Sequence, residues 1–537
     1  MATASSSFNC SISTIKSFLP TNATVFYADH YAANATFSPP AALNTGSYPT
    51  AGSYPLPRAG CIAQGNVSLP GNTQYSFGIV LPDDWNGRFL AVGNGAFAGS
   101  ISWSSLIDGM WYGFAVVSTD TGHEANGLSA AWAYQNPAAL ANWGYRALHD
   151  TVVKGKAITT GYYGKDIAYS YYRGCSCGGK QGLKEIELYP DEFDGVVVGA
   201  PAWWTSHLQL WNMIVGIWNM PVNASHYLPD SAFDLLSAEV LRQCDPQDGV
   251  VDNIIQDPLG CQFRPETLLC SSNTANTSAC LTPDQIATVN KLHRDWVEAN
   301  STFIFPHYLL GSEWGWGGSG GLVTSPSPLG TEYVQYMMNL GPDWVWQDWN
   351  PELIVLSDQI NPGNATADDF DLEPFYRQGG KVIHYHGMSD ASIATGSSIY
   401  FYEQVVKALQ PRGIDLNDFY RFFLIPGMGH CTGTTPSMNA PWYIAGDGQS
   451  STLGNGANTI HGVPGFNDTR HDVLLAVMAW VENGTAPDAL IATKYVNDTT
   501  PEQVLRQRPL CVYPQRAVYT GRGDVDQPEN WVCRSLY

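Results

Sequence analysis

Charge is scarce in this chain of 537 residues. Charged side chains make up 14% of it, and 26 Lys and Arg stand against 48 Asp and Glu, for a formal charge of −22. A surface so poor in cations repels polyphosphates and anionic headgroups, so neither nucleic acid nor a membrane is an expected partner. No apolar run reaches the length of a membrane span. The opening Met1-Ala2-Thr3-Ala4-Ser5-Ser6 carries no apolar signal core, and we read it as a mature form restarted with a methionine. No internal repeat is present, which sets repeat architectures aside.

What the chain does have is length, aromatic residues and cysteine. Its length suits a large α/β unit plus a substantial insertion, so two compact units are expected. Trp, Tyr and Phe make up 12%, a balance that suits a rigid enzyme and makes aromatic ligands or sugars reasonable substrates. The eleven cysteines fall largely in loop-like stretches, with local couples at Cys244/Cys261, Cys270/Cys280 and Cys511/Cys533 that suggest disulfides. Asn-x-Ser/Thr acceptors recur at Asn22, Asn34, Asn66, Asn223, Asn276, Asn300, Asn364, Asn467, Asn483 and Asn497. Together these features predict a secreted, extracellular glycoprotein.

One stretch organises the rest. Asp166-Ile167-Ala168-Tyr169-Ser170-Tyr171-Tyr172 reads as a strand, Gly174-Cys175-Ser176-Cys177-Gly178-Gly179 as a tight turn, and Lys180 to Ile186 as a helix. Centred on Ser176 the turn is G-x-S-x-G, a nucleophile elbow, in which small residues let a sharp turn push one hydroxyl out above a sheet. Apolar strands at 75–81, 88–92, 113–118 and 195–200 and a helix over 142–159 surround it, giving a mostly parallel sheet covered on both faces. The N-terminal stretch up to Cys61 reads as a tied-down region with a short helix at 13–19 and turns at Pro39-Pro40 and 46–49. Regular strands start only at Tyr75. From about Thr205 to Phe370 the pattern gives way to Trp-rich and Gly-rich loops, read as an inserted lid. The strand–helix pattern returns at 380–386 and 419–425, with helices at 397–409 and 472–482 and a C-terminal tail.

A serine nucleophile needs a base and a carboxylate to orient that base, and after an elbow these follow in the order Ser, Asp or Glu, His, at the ends of later strands. Asp390 follows the strand ending at His386, and His430 follows the strand ending at Ile425. Asp390 taken alone reads more readily as a turn or helix-capping residue. His430 competes with His384, His386, His123 and His207, any of which suits a hydrogen-bonded core.

Cysteines stand beside both residues, in Cys175-Ser176 and His430-Cys431. A bond between Cys175 and Cys431 would hold their Cα atoms within about 6 Å and force Ser176 and His430 together. With this pair, Asp390 in His386-Gly387-Met388-Ser389-Asp390, Gly93-Asn94-Gly95 and Asp120-Thr121-Gly122-His123, nearly the whole chain resembles the tannase and feruloyl esterase family. The resemblance implies an α/β-hydrolase fold, with residues 1–204 and 371–537 as the catalytic domain and 205–370 as an inserted lid domain. It implies Ser176, Asp390 and His430 as the catalytic residues and the Cys175–Cys431 bond beside them. The remaining cysteines then pair as Cys10–Cys61, Cys244–Cys261, Cys270–Cys280 and Cys511–Cys533, leaving Cys177 as a free, packed thiol.

The resemblance also implies oxyanion donors at the backbone N–H of Cys177 and of Gly95 or Ala96. A cysteine nucleophile at Cys177, flanked by Cys175 and Gly179, is the rival reading. In the lid, Asp245, Asp248 and Asp252 cluster around a glycine turn; spacing alone fits an acidic loop as well as a calcium site. The family's calcium loop implies these three side chains plus the carbonyls of Val250 and Ile254, holding a structural calcium ion. The stretch from Gly199 to His207 resembles fungal feruloyl esterases of type B more than fungal tannases. The expected substrates are then small phenolic esters or feruloylated oligosaccharides, with galloyl esters the alternative, and the lid's aromatic residues are expected to grip the planar phenolic acid by stacking. A non-catalytic glycan-binding protein is the rival from another class.

Overall fold

A computed structural model describes residues 8–39, 52–71, 73–271, 279–298, 300–318 and 320–535. The turn at 46–49, Pro40, the first seven residues and the acceptor at Asn276 lie outside them. At the centre is a nine-stranded sheet: β1 (Ala23–Tyr31), β2 (Gly60–Leu69), β3 (Thr73–Pro82), β4 (Arg88–Val92), β5 (Ala115–Thr119), β6 (Tyr169–Cys175), β7 (Gly195–Gly199), β8 (Lys381–Gly387) and β9 (Tyr420–Ile425). Their spatial order is β1-β2-β3-β5-β4-β6-β7-β8-β9. The run from β5 to β9 is parallel, whereas β1, β2 and β3 are antiparallel additions at one edge.

Strands of the parallel part are buried almost along their whole length because helices cover both faces. On one face Phe89, Ala91, Val117, Val196 and Val198 meet the helices Ala147–Tyr163, Cys177–Leu188 and Gly396–Leu409. On the other, Leu90, Val92, Val116 and Val197 meet Trp103–Trp111 and Val473–Asn483. Alternate residues of each strand thus feed two cores, as a two-residue period requires. The helix Val473–Asn483 begins where Asp472 accepts from the N–H groups of Leu474 and Leu475, an N-cap that satisfies two otherwise unpaired donors.

Strands β1 and β2 correct the expectation that regular strands begin at Tyr75. In β1 few side chains are buried and no clean alternation shows, because its pairing with β2 rests on backbone bonds at a sheet edge. The C-terminal tail is likewise more ordered than expected. It forms the antiparallel pairs Ala489–Tyr495 with Val504–Cys511 and Gln515–Tyr519 with Trp531–Ser535.

Between β7 and β8 the chain leaves the sheet and forms the helices Thr205–Asn219, Asp230–Cys244, Pro283–Leu292 and Glu352–Ile360. Their apolar faces build a third core, which also takes in Phe97, Trp143, Cys177 and Ile393 from around the sheet's carboxyl ends.

Beneath those ends lies Arg173 of β6, whose guanidinium donates to Asp108 Oδ2 at 2.6 Å with Asp447 at 3.7 Å. Burial alone would raise the Asp108 carboxyl, but Arg173 and His461 outweigh it and hold it below the ordinary carboxylate range. Replacing Asp108 by Ala removes the bonded partner of a buried cation, and we expect a loss of about 3–5 kcal/mol in urea unfolding. A loss under about 1 kcal/mol would show that Asp447 takes over the pairing.

Candidate active site

Strand β6 runs straight into the turn that carries Ser176. That residue sits at φ 62°, ψ −122°, a conformation L-residues rarely adopt and one that persists only where the surroundings over-determine it. Here the Ser176 N–H donates to Gly199 O at 2.9 Å, and Ser176 O accepts from the N–H groups of Lys180 and Ala202, both at 3.0 Å. The flanking glycines are a matter of space: a Cβ on Gly174 would stand 2.6 Å from Gly178 O, and one on Gly93 would stand 2.5 Å from Gly178 Cα.

The structure brings Ser176, His430 and Asp390 together. His430 Nε2 lies 2.9 Å from Ser176 Oγ, and His430 Nδ1 lies 2.7 Å from Asp390 Oδ2. Asp390 is buried, and its other oxygen accepts from the N–H groups of Ser392 at 2.8 Å and Ile393 at 2.9 Å. Burial would raise the Asp390 carboxyl, yet His430 and His386 overcome it and keep the group well below its ordinary value. An ionised Asp390 makes Nδ1 of His430 the donor, so Nε2 is free to accept from the Ser176 hydroxyl. Burial pulls His430 down, but Asp390 outweighs this and leaves it raised above the ordinary imidazole value. The site therefore favours the imidazolium that taking the serine proton would create.

A disulfide joins Cys175 to Cys431 with Cα atoms 6.0 Å apart. The structure also closes Cys10–Cys61, Cys244–Cys261, Cys270–Cys280 and Cys511–Cys533. Cys177 is free and buried, and burial pushes its thiol up, which disfavours the thiolate a cysteine nucleophile would need. Its backbone N–H, first in the helix Cys177–Leu188, has no intrahelical acceptor to satisfy it.

Facing it is the loop of Gly95 and Ala96, with Ala96 at φ 44°. Asn94 fixes this loop: its N–H donates to Gln181 Oε1 at 2.9 Å, and its side-chain amide donates to Ser100 O at 3.0 Å and Thr119 O at 2.7 Å. His123, pushed down to about 4 by burial, donates through Nε2 to Phe97 O at 2.8 Å. Asp120 accepts from the N–H groups of Ser76 at 2.7 Å and Gly122 at 2.8 Å. The stretch Asp120 to His123 is thus a brace for the loop. His207 bridges Ile304 O and Asp358 inside the insertion and lines neither cavity at Ser176.

Two cavities meet at Ser176 and His430. One of about 500 Å³ is largely apolar, walled by Leu128, Trp143, Leu208, Leu322 and Ile393, with Gln209 and Asn212 as polar points. The other, of about 660 Å³, carries more polar groups, among them Asn94, Ser100, Ser102, Ser451, Asn458 and Asp447, beside Tyr54, Ile101 and Trp103. Among the described residues the single Trp, Tyr or Phe lining the apolar cavity is Trp143, from the chain before the elbow. This corrects the expectation that the lid's aromatic residues would grip the ligand: Trp211 and Trp316 are fully buried, and Trp218, Trp296 and Trp349 gather in a separate depression. Nothing in the local sequence marks Trp143 or Gln181, because both act through contacts with distant stretches.

The acidic loop of the insertion holds three carboxylates, Asp245, Asp248 and Asp252. Asp248 Oδ1 accepts from the N–H of Val250 at 2.8 Å, while Asp248 Oδ2 is buried with no partner. Asp245 accepts from the N–H of Asp252 at 3.1 Å, and burial raises Asp245 and takes Asp248 to about 6. Asp252 Oδ2 is bonded to Arg508 at 2.7 Å. The buried Asp245 and the half-buried Asp248, short of positive charge, with the carbonyls of Val250 and Ile254 on the same loop, form a donor set that suits a hard cation.

The elbow at the end of a central parallel strand, with histidine and aspartate after the last two, is the architecture of the α/β-hydrolases, and the protein is a carboxylic ester hydrolase. It belongs to the tannase and feruloyl esterase family, whose model matches residues 61–308 and 346–534. A probable feruloyl esterase B-1 of Aspergillus oryzae is 35% identical over 87% of this chain and 82% of its own. A probable feruloyl esterase B-2 of Aspergillus fumigatus is 34% identical over 87% and 85%. The crystal structure of feruloyl esterase B from Aspergillus oryzae superposes with a TM-score of 0.87 at 32% identity, covering 97% of this chain and all of that one. Tannin acyl hydrolase from Aspergillus niger shares the fold, with a TM-score of 0.74 at 24% identity over 98% and 95%.

Replacing both Cys175 and Cys431 by Ala opens a loop with a sequence separation of 256, which the chain-entropy model values at about 5 kcal/mol. We expect the double variant to unfold at markedly lower denaturant and to lose kcat as the Ser–His distance relaxes. Wild-type kcat in a folded double variant would show that the cross-link does not hold the geometry.

Proposed function

We propose that the protein is a secreted serine esterase that releases hydroxycinnamic acids, such as ferulic, caffeic and p-coumaric acid, from plant cell-wall polysaccharide esters through an acyl-enzyme. The observation that carries this reading is that Ser176 and His430 stand where two cavities meet, one walled mainly by apolar side chains and one carrying more hydroxyl and amide groups. A planar phenolic acyl group suits the first and a sugar alcohol the second. The names of the similar proteins point to the same chemistry. Cross-linked cysteines and exposed acceptor asparagines such as Asn22, Asn223, Asn364 and Asn483 support secretion.

In this mechanism His430 takes the Ser176 proton as Oγ attacks the ester carbonyl, and Asp390 holds the imidazole tautomer and stabilises the imidazolium. The N–H groups of Cys177 and of Gly95 or Ala96 receive the developing oxyanion, each such donor being worth about 10²–10³ in rate. His430 returns the proton to the leaving alcohol, and water then releases the acid by the same steps in reverse order. Residues 205–370, which supply Leu208, Gln209, Asn212 and Leu322 to the acyl cavity, act as an inserted lid domain. Asp245, Asp248 and Asp252, with the carbonyls of Val250 and Ile254, would hold calcium as a structural ion.

Hydrolysis of methyl ferulate, caffeate, p-coumarate and sinapate is to be compared with that of methyl gallate, for wild type and Ser176→Ala. We expect hydroxycinnamates to be preferred and the variant to lose at least about 10⁴ in kcat. A preference for gallate would make the protein a tannase, and full activity in the variant would overturn the mechanism. Treatment with EGTA is expected to lower Tm by a few degrees, restored by calcium; an unchanged Tm would remove the ion from this reading.

A further inference from the structure

His384 and His386 alternate on β8, so both project from one face of the strand, and both are fully buried. His386 Nε2 lies 3.0 Å from Asp390 Oδ2 and 3.1 Å from Ile393 O. Both neighbours can only accept, so this nitrogen carries a hydrogen. In that tautomer Nδ1 accepts from the Ser398 hydroxyl at 2.7 Å. The single proton of Ser398 is then committed, and Ser398 Oγ accepts from His384 Nε2 at 2.8 Å. His384 Nδ1 in turn accepts from the Tyr420 hydroxyl, also at 2.8 Å. Every donor in this chain of buried groups is therefore assigned, from Tyr420 to Asp390.

We propose that His386 is a positioning residue for the esterase reaction: locked in one tautomer by the relay Tyr420, His384 and Ser398, it holds Asp390 Oδ2 in the orientation that His430 requires. This rests on the serine mechanism proposed above. The Asp390 carboxylate has four donors, two N–H groups on Oδ1 and two imidazoles on Oδ2. Three of them belong to one short stretch, 386–393, so the carboxylate is held by its own segment, and His430 comes to it from another loop. The relay stays in register because burial, with His386 adding to it, pushes His384 well below the ordinary imidazole value, and burial keeps the Tyr420 phenol protonated. The titratable groups that face this network are His384 on β8, Tyr420 on β9, Tyr402 on the helix that carries Ser398, Asp390 and His430 on the following loops, and Tyr308 of the insertion, whose phenol burial and Asp390 raise.

The sign of the effect follows. The His386 hydrogen bond draws negative charge from Asp390, so its removal leaves the carboxylate a stronger partner for the His430 imidazolium. His430 then holds its proton to higher pH, and the acidic limb of kcat/KM moves upward. The test is the pH profile of methyl ferulate hydrolysis for His386→Phe, His386→Gln and Ser398→Ala, with Ser176→Ala measured alongside. We expect His386→Phe to lose about tenfold in kcat with KM within about twofold, and its acidic limb to rise by about half a pH unit. His386→Gln, whose amide can still donate to Oδ2, should recover most of both, and Ser398→Ala should shift the limb in the same direction by less. A folded His386→Phe protein with a wild-type profile, or Phe and Gln variants that behave alike, would overturn the proposal. If His386→Phe does not fold, an unshifted limb in Ser398→Ala would do so. Full activity in Ser176→Ala would instead remove the serine mechanism itself, a separate result.

Discussion

The covalent link between Cys175 and Cys431 is the constraint on which the candidate site depends. Ser176 and His430 are far apart in sequence and on different strands, and each is the immediate neighbour of one half of this bond. A hydrogen bond of 2.9 Å between their side chains tolerates little drift, since the bond weakens steeply with distance and angle. Packing places β6 and β9 in one sheet, but with β7 and β8 between them their loops would be free to separate. The cross-link removes that freedom, and it lets both loops keep unusual backbone conformations, with Ser176 and Cys431 each at φ 62°.

Electrostatics divides the site into a fixed half and a responsive half. Asp390, His386 and the N–H groups of Ser392 and Ile393 form a buried set in which charge and donors are matched. Against it stands His430, which joins this set on one side and Ser176 on the other. Preorganisation of this kind is what makes a low-dielectric site useful, because no dipole needs to turn when charge appears. On the serine's other flank, Gln181, Asn94 and His123 brace the Gly95–Ala96 loop by direct bonds. None of these bracing residues has a reacting partner, and each matters through where it holds the backbone.

Much of the fold was legible because parallel strands buried on both faces are written as short apolar runs. Those at 88–92, 195–199 and 420–425 stand out, and residues just past the ends of such runs lie at one edge of the sheet. That is why Ser176, Asp390 and His430 could be named together. The edge strand β1 was missed because one-sided burial and backbone pairing leave little trace in side-chain type, and β2, paired on both sides and largely buried, because Gly, Ala, Gln and Asn interrupt its apolar residues. The wall of the apolar cavity was illegible for a different reason. Trp143, Leu208 and Leu322 come from three separated stretches, and only tertiary packing shows that Trp211 and Trp316 of the insertion are spent on its core. The two histidines of β8 share a face by strand period alone, yet Ser398 and Tyr420, which decide their tautomers, come from a helix and a neighbouring strand.

The burial of Cys177 has a consequence for how the chain survives its own oxidation chemistry. Five disulfides and one thiol in a single chain invite exchange, in which a thiolate attacks a neighbouring bond and scrambles the pairing. The odd thiol here lies two residues from Cys175, next to the bond whose loss would matter most. Exchange needs the ionised sulfur and an open approach, and Cys177 is held in apolar packing that pushes its thiol up. Once folded, the chain keeps its correct connectivity by withholding the reagent that would undo it.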